Sequence, residues 1–134
     1  MYKRQDNYPV KERSDRDIGL VSYDRSREGS PWVDDELYLT TLDVALAEVL
    51  DESRPDLVLY QAGADPYEGD QLGGFRITRD GLRRRDEAVF RACLERRIPV
   101  ATTFGGGYAV DVADTIAIHL ETVRAARRVL GGAA

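Results

Sequence analysis

Two short apolar runs constrain this chain most. D-L-V-L-Y at 56–60 and I-P-V-A-T-T-F at 98–104 are each too short for a helix, and each is followed by a glycine-rich stretch. The apolar residues of the first run are consecutive rather than alternating, as in a parallel strand covered on both faces. Between the runs, 78–97 carries Leu82, Val89, Phe90, Cys93 and Leu94 on one helical stripe. Thr78 stands where an N-cap is wanted, and Phe75 to Ile77 before it reads as a short extended piece. Strand, helix and strand at this spacing form a right-handed βαβ unit, so the expected fold class is α/β with a parallel sheet.

Helical patterns flank this unit. Asp34 or Asp35 can cap a helix over 36–53, with Tyr38, Leu42, Ala45, Leu46, Val49 and Leu50 on one face. Arg54-Pro55 stops it. A last helix is expected over 110–130 with Ala113, Ile116, Ala117, Leu120 and Val123 inward, followed by a frayed end. Its Arg124, Arg127 and Arg128 suit the negative end of the helix dipole. The expected order over 34–130 is therefore α-β-α-β-α. The lead-in 6–33 contains Pro9, Gly29 and Pro31 with clustered charge and reads as loop. Within it, Trp32 reads as a packing anchor in preference to a lid. Met1 to Gln5, M-Y-K-R-Q, is expected to be read-through of a transposon-derived sequencing adapter, whose codons GTG-TAT-AAG-AGA-CAG encode it. A genuine polar tail is the other reading, and the codons in the source genome decide between them.

Composition removes several classes of function. A length of 134 residues makes one domain or part of one. A net charge of −5 argues against a nucleic-acid partner, because phosphate contact needs a basic excess. No apolar run approaches the roughly 20 residues of a membrane span, and the N-terminus has no apolar stretch for a signal peptide. A single cysteine allows no internal disulfide, so a cytoplasmic setting is expected. The single histidine means that the chain cannot supply a His-rich metal site.

The chemistry concentrates after the strands. Q-A-G-A-D-P-Y-E-G-D-Q-L-G-G, residues 61–74, holds four glycines, one proline and three acidic residues, which suits neither helix nor strand. Asp65 sits just past the first strand with Pro66 holding its backbone extended. Gly105-Gly106-Gly107-Tyr108 follows the second strand. Parallel strands share a carboxyl-end edge, so Asp65 and Tyr108 belong on one lip, where ligand chemistry sits in open α/β sheets. A carboxylate and a phenol there can bind a cation and polarise a carbonyl. Plainer readings stand beside this one. Asp before Pro is usually a turn residue, and G-G-G-Y can cradle phosphate at a helix N-terminus. Glu68 and Asp70 read as turn formers, His119 as a half-buried structural histidine and Cys93 as a buried structural thiol. Arg83-Arg84-Arg85 reads as a solvated face.

G-A-D-P-Y-E-G-D-Q-L-G-G resembles the late metal-binding loop of the zinc-dependent histone deacetylase superfamily, and G-G-G-Y resembles that family's glycine-tyrosine segment. The order and separation of the two fit, and N-Y-P with S-D-R-D-I resembles bacterial members similar to the class IV deacetylases. The resemblance implies a three-layer arginase/deacetylase-like α/β fold, of which this chain is the C-terminal part. It implies removal of acyl groups from acetyl-lysine or acetylpolyamine by a Zn2+ held by two carboxylates and one histidine. It places a zinc ligand on Asp65 and the oxyanion-stabilising hydroxyl on Tyr108, with Leu72 and Gly106 lining the substrate channel. The family's His-His pair and Asp-x-His segment have no counterpart in the sequence, and both normally lie upstream. The resemblance therefore implies a fragment that is inactive alone and whose partner is the missing N-terminal half of the same protein. Two alternatives remain at this point: a free-standing flavodoxin- or Rossmann-like phosphate-binding module, and a non-catalytic interaction subunit.

Overall fold

The computed structural model describes residues 16, 18, 20 and 33–132. Residues 1–5, Trp32 and most of the expected lead-in loop lie outside the described residues. The chain runs as helix α1 (Asp35–Ser53), strand β1 (Val58–Gly63), helix α2 (Arg79–Glu95), strand β2 (Val100–Gly105) and helix α3 (Val112–Leu130). This is the expected α/β order. The two strands pair in parallel, with Val58 opposite Val100 and Gly63 opposite Gly105. Both carboxyl ends therefore stop at the same level, and the two glycine-rich loops leave side by side. No helix among the described residues is long and apolar enough to cross a membrane.

Side chains fix where each helix begins. Asp34 accepts from the Leu37 amide at 3.0 Å and caps α1. Thr78 caps α2 through the Gly81 amide at 2.9 Å, and Asp111 caps α3 through the Ala113 amide at 2.9 Å. The α2 cap has a second tie. Asp35, in the first turn of α1, accepts from the Thr78 amide at 2.8 Å and from its hydroxyl at 2.6 Å. A Cβ on Gly81 would lie 2.1 Å from that carboxylate, so only glycine lets α1 approach so closely.

The C-terminal end of α2 is less well matched. Arg97 has φ 58°, with its amide bonded to the Leu94 carbonyl and the Ile98 amide to that of Cys93. This is a Schellman motif with arginine where glycine costs least. Arg97→Gly is therefore expected to raise the unfolding free energy by about 1 kcal/mol in urea titration. An unchanged or lower midpoint would show that the arginine side chain offsets its backbone strain.

The principal core cluster lies beneath the carboxyl-end loops. Val33, Ala64, Phe75, Ile77, Leu82 and Ile118 are buried together, with Leu20, Tyr38 and Tyr67 packed against them. On α2, the predicted Leu82, Val89, Phe90 and Cys93 are buried, and burial pushes the Cys93 thiol up from its ordinary range. Leu94 is partly exposed.

Three expectations need correction. The α1 stripe contributes Leu50 to the core, but Val49 is exposed and Leu39, which the pattern missed, is buried. On α3 the expected stripe is turned outward. Ile116 is 61% exposed, with Leu120 and Val123 also exposed, while Ile118, Thr122 and Ala125 face inward. The helix docks through a polar residue, Thr122, which an apolar criterion cannot select. The third correction is the sheet. Tyr60 faces α2, but on the other side Leu59 is 78% exposed, and Gln61, Ala101 and Thr103 beside it are exposed too. The described helices cover one face only.

Arg85 also departs from expectation. It is buried, not part of a solvated face. Its Nη1 donates to the Gly63 carbonyl at 2.6 Å, and its Nε to Asp86 Oδ1 at 2.9 Å. Nη2 lies 2.8 Å from the same oxygen but makes no hydrogen bond among the described residues. Buried Asp86 also accepts from the Tyr60 hydroxyl at 2.5 Å and the Thr122 hydroxyl at 2.6 Å. One carboxylate thus joins β1, α2 and α3. Burial pushes the Tyr60 phenol well above its ordinary range, with the Arg85 charge opposing the rise and Asp86 adding to it, so Tyr60 remains a donor.

Candidate active site

Residues 64–70 leave β1 as two consecutive turns, with the Tyr67 amide on the Ala64 carbonyl and the Asp70 amide on the Tyr67 carbonyl, each at 3.0 Å. Proline and glycine make this path accessible. The Tyr67 ring anchors the turns to α3 through Asp114, 3.1 Å from its hydroxyl. Glu68 is exposed in the turn, as a turn former would be.

Asp65 points from this loop into the G-G-G-Y loop. Its Oδ1 accepts from the Gly107 amide at 3.0 Å. Gly106 has φ +64°, and a Cβ there would lie 2.1 Å from the Asp65 carboxylate. Gly107 has φ +102°, and its Cβ would lie 2.5 Å from Thr115. Both positions therefore require glycine for backbone and space alike. The structure brings Asp65 and Gly106 into direct apposition. Tyr108 stands next in the chain and is 59% exposed, and Leu72 is 57% exposed on the neighbouring loop. His119 is half-buried in α3 with its ring 5.2 Å from that of Phe104 and its Nδ1 buried without a partner among the described residues.

The loops are joined a second time. Asp70, only 7% exposed, accepts from the Leu72 and Gly73 amides with Oδ1, at 2.8 and 2.7 Å. Its Oδ2 accepts from the Tyr108 amide at 2.6 Å. The Gln71 amide and side chain donate to the Tyr108 carbonyl at 3.0 and 3.1 Å. Asp70 is a turn former, as its sequence setting suggests, and it is also a bridge to the second loop. A Gly-Asp step ahead of Leu-Gly-Gly signals the turn. Nothing local signals the bridge, which reaches 38 residues along the chain.

This geometry bears on what can bind. The Gly107 and Tyr108 amides, which a phosphate cradle would use, are bonded to the chain's own carboxylates. That counts against the phosphate-binding alternative. Zinc requires about three protein ligands in a catalytic site. Among the described residues no group of three or more His, Cys, Asp and Glu side chains could hold a metal ion. Asp70 is committed to three amides, and the His119 ring lies tilted against that of Phe104. These residues alone do not fit a complete zinc site.

Comparison with known proteins gives a consistent picture. A family profile described as Histone deacetylase domain matches residues 1–123. An uncharacterized protein of Picosynechococcus sp. is 43% identical over 124 residues, covering 92% of this chain and 38% of that protein. Histone deacetylase 2 of Arabidopsis thaliana is 42% identical over 86 residues, covering 64% of this chain and 22% of that enzyme. Probable histone deacetylase 1-A of Xenopus laevis is 31% identical over 78 residues, 58% of this chain and 15% of that protein. The chain thus spans 38% or less of the length of these relatives.

Proposed function

The chain belongs to the histone deacetylase domain family, and we propose that it is the C-terminal portion of a zinc-dependent deacetylase of that family, acting in the cytoplasm on acetyl-lysine or acetylpolyamine. The observation that carries this reading is the apposition of the Asp65 and Tyr108 loops at the carboxyl ends of two parallel strands, closed by the Asp65 to Gly107 hydrogen bond. Asp65 would supply one zinc ligand, the others coming from the missing N-terminal half. Bound zinc would acidify water and polarise the amide carbonyl.

The chain's own residues have definite tasks in this reading. The Gly107 amide holds one oxygen of Asp65 and fixes the direction of the other. Tyr108 donates its phenol hydrogen to the substrate carbonyl and keeps that bond as the oxygen gains charge. Glycine at 106 admits the Asp65 carboxylate alongside the backbone. Leu72 lies on the same lip and would flank the stem of the acyl-amine substrate. The bare face of the sheet supports the need for the remaining part of the protein. Parallel sheets bury both faces in complete domains, and Leu59 here is largely exposed. The same face would serve a non-catalytic interaction subunit, which predicts a stable partner and no turnover.

The test compares the isolated chain with a chimera that joins it to the upstream part of the Picosynechococcus relative. The isolated chain is expected to bind zinc weakly and not to hydrolyse an acetyl-lysine peptide. The chimera is expected to bind one zinc and turn over acetyl-lysine or acetylpolyamine, with both properties lost in Asp65→Ala. A folded chimera without zinc or turnover, or turnover that survives Asp65→Ala, would sink the reading.

A further inference from the structure

We propose that Asp70 is the positioning residue for Tyr108: its carboxylate locks the metal-side loop to the tyrosine loop, so that half of the reaction site is already assembled in this chain. The inference rests on the proposed role of Tyr108, and its first test does not. The two oxygens of Asp70 divide the work. Oδ1 takes the Leu72 and Gly73 amides and shapes its own loop. Oδ2 takes the Tyr108 amide at 2.6 Å. A charge-assisted bond of this kind is about twice as strong as a neutral one, and burial of the carboxylate shields it from water.

The bond is part of a short antiparallel clamp. Asp70 pairs with Ala109 as an isolated bridge. The Val110 amide donates to the Gly69 carbonyl at 3.2 Å, and Gln71 holds the Tyr108 carbonyl. Both polar groups of the Tyr108 backbone are therefore fixed by residues 70 and 71. The phenol takes no part in the clamp. With Gly106 and Gly107 at positive φ, the preceding backbone has unusual freedom in the unfolded chain. The carboxylate of Asp70 holds the next residue at the end of that flexible run. No other acidic side chain among the described residues reaches the Tyr108 amide. Asparagine cannot reproduce the arrangement, because one of its two terminal atoms is a donor and would face an N–H.

The first experiment is amide hydrogen exchange by NMR on the 134-residue chain. In the wild type the Tyr108 amide is expected to be protected. In Asp70→Asn its protection should fall roughly 10- to 100-fold, the range for a lost hydrogen bond to a charged group, while amides in α2 keep theirs. An unprotected Tyr108 amide in the wild type, or equal protection in a folded variant, would overturn the proposal. The wild-type measurement stands even if the variant does not fold.

The second experiment uses the chimera. Asp70→Asn is expected to lower kcat about tenfold or more with KM unchanged, since small misplacements of a reacting group cost up to about 10²-fold. In a Tyr108→Phe background the same change should add little further loss. Additive losses would reduce Asp70 to a general structural residue and overturn the proposal. If Tyr108→Phe alone has no effect on an active chimera, the role of Tyr108 fails, and the exchange result still decides whether Asp70 holds its backbone.

Discussion

Asp86→Ala is expected to lower the unfolding free energy by roughly 3–5 kcal/mol, a large part of the ~5–15 kcal/mol that keeps a domain folded. The reason is what the substitution leaves behind. Arg85 is 4% exposed, and its main compensating charge is the Asp86 carboxylate beside it. Without that carboxylate the guanidinium keeps the Gly63 carbonyl and the face of the Tyr60 ring, 5.9 Å from its centroid. Those contacts do not repay the burial of a full charge. The Tyr60 and Thr122 hydroxyls lose their acceptor at the same time. By contrast, Tyr60→Phe removes one donor and leaves the ion pair, so a loss nearer 1–2 kcal/mol is expected. Replacing both Arg85 and Asp86 with apolar residues of similar volume should recover much of the single-variant loss. Urea titration measures all three. A double variant as unstable as Asp86→Ala would mean that the charge pair is not the cause.

Tyr108→Phe has the largest expected effect on chemistry. In the chimera it should reduce kcat by about 10²–10³, the usual consequence of removing one donor from a developing oxyanion. Zinc content, KM and melting temperature should change little. The clamp uses only the amide and carbonyl of Tyr108, and the residue is 59% exposed, so removing the hydroxyl is expected to disturb little packing. Stopped-flow or steady-state rates on an acetyl-lysine substrate, alongside zinc analysis, give the answer. A full rate in Tyr108→Phe would assign oxyanion stabilisation elsewhere.

The periodic features of the sequence translate well into the fold. The two apolar runs became the paired strands, although each strand extends to its following glycine, Gly63 and Gly105. Asp34 and Thr78 cap the helices that their positions suggest. Asp65 and Tyr108 share a lip because parallel strands force their carboxyl ends together. What local pattern could not reveal depends on partners far along the chain. Arg85 reads as one of three exposed arginines until Gly63 and Asp86 are seen to satisfy it. Asp70 reads as a turn residue until the Tyr108 amide arrives from the other loop. The inward face of α3 was misassigned for a related reason. Hydrophobicity marks what avoids water, whereas Thr122 docks because a buried carboxylate is waiting for its hydroxyl. The apolar stripe itself remained outside.

The Asp35 tie has a consequence for the order in which this chain opens and closes. A helix start is ordinarily a local matter, settled by the residue just ahead of it. Here the start of α2 is finished by a residue 43 positions earlier, whose own carboxylate occupies the space above Gly81. Release of α1 takes away the acceptor of both the Thr78 amide and its hydroxyl, although the Thr78 hydroxyl oxygen still caps the Gly81 amide. Fraying of one and release of the other are thus coupled through Thr78, and the two helix ends are expected to open together as parts of one foldon.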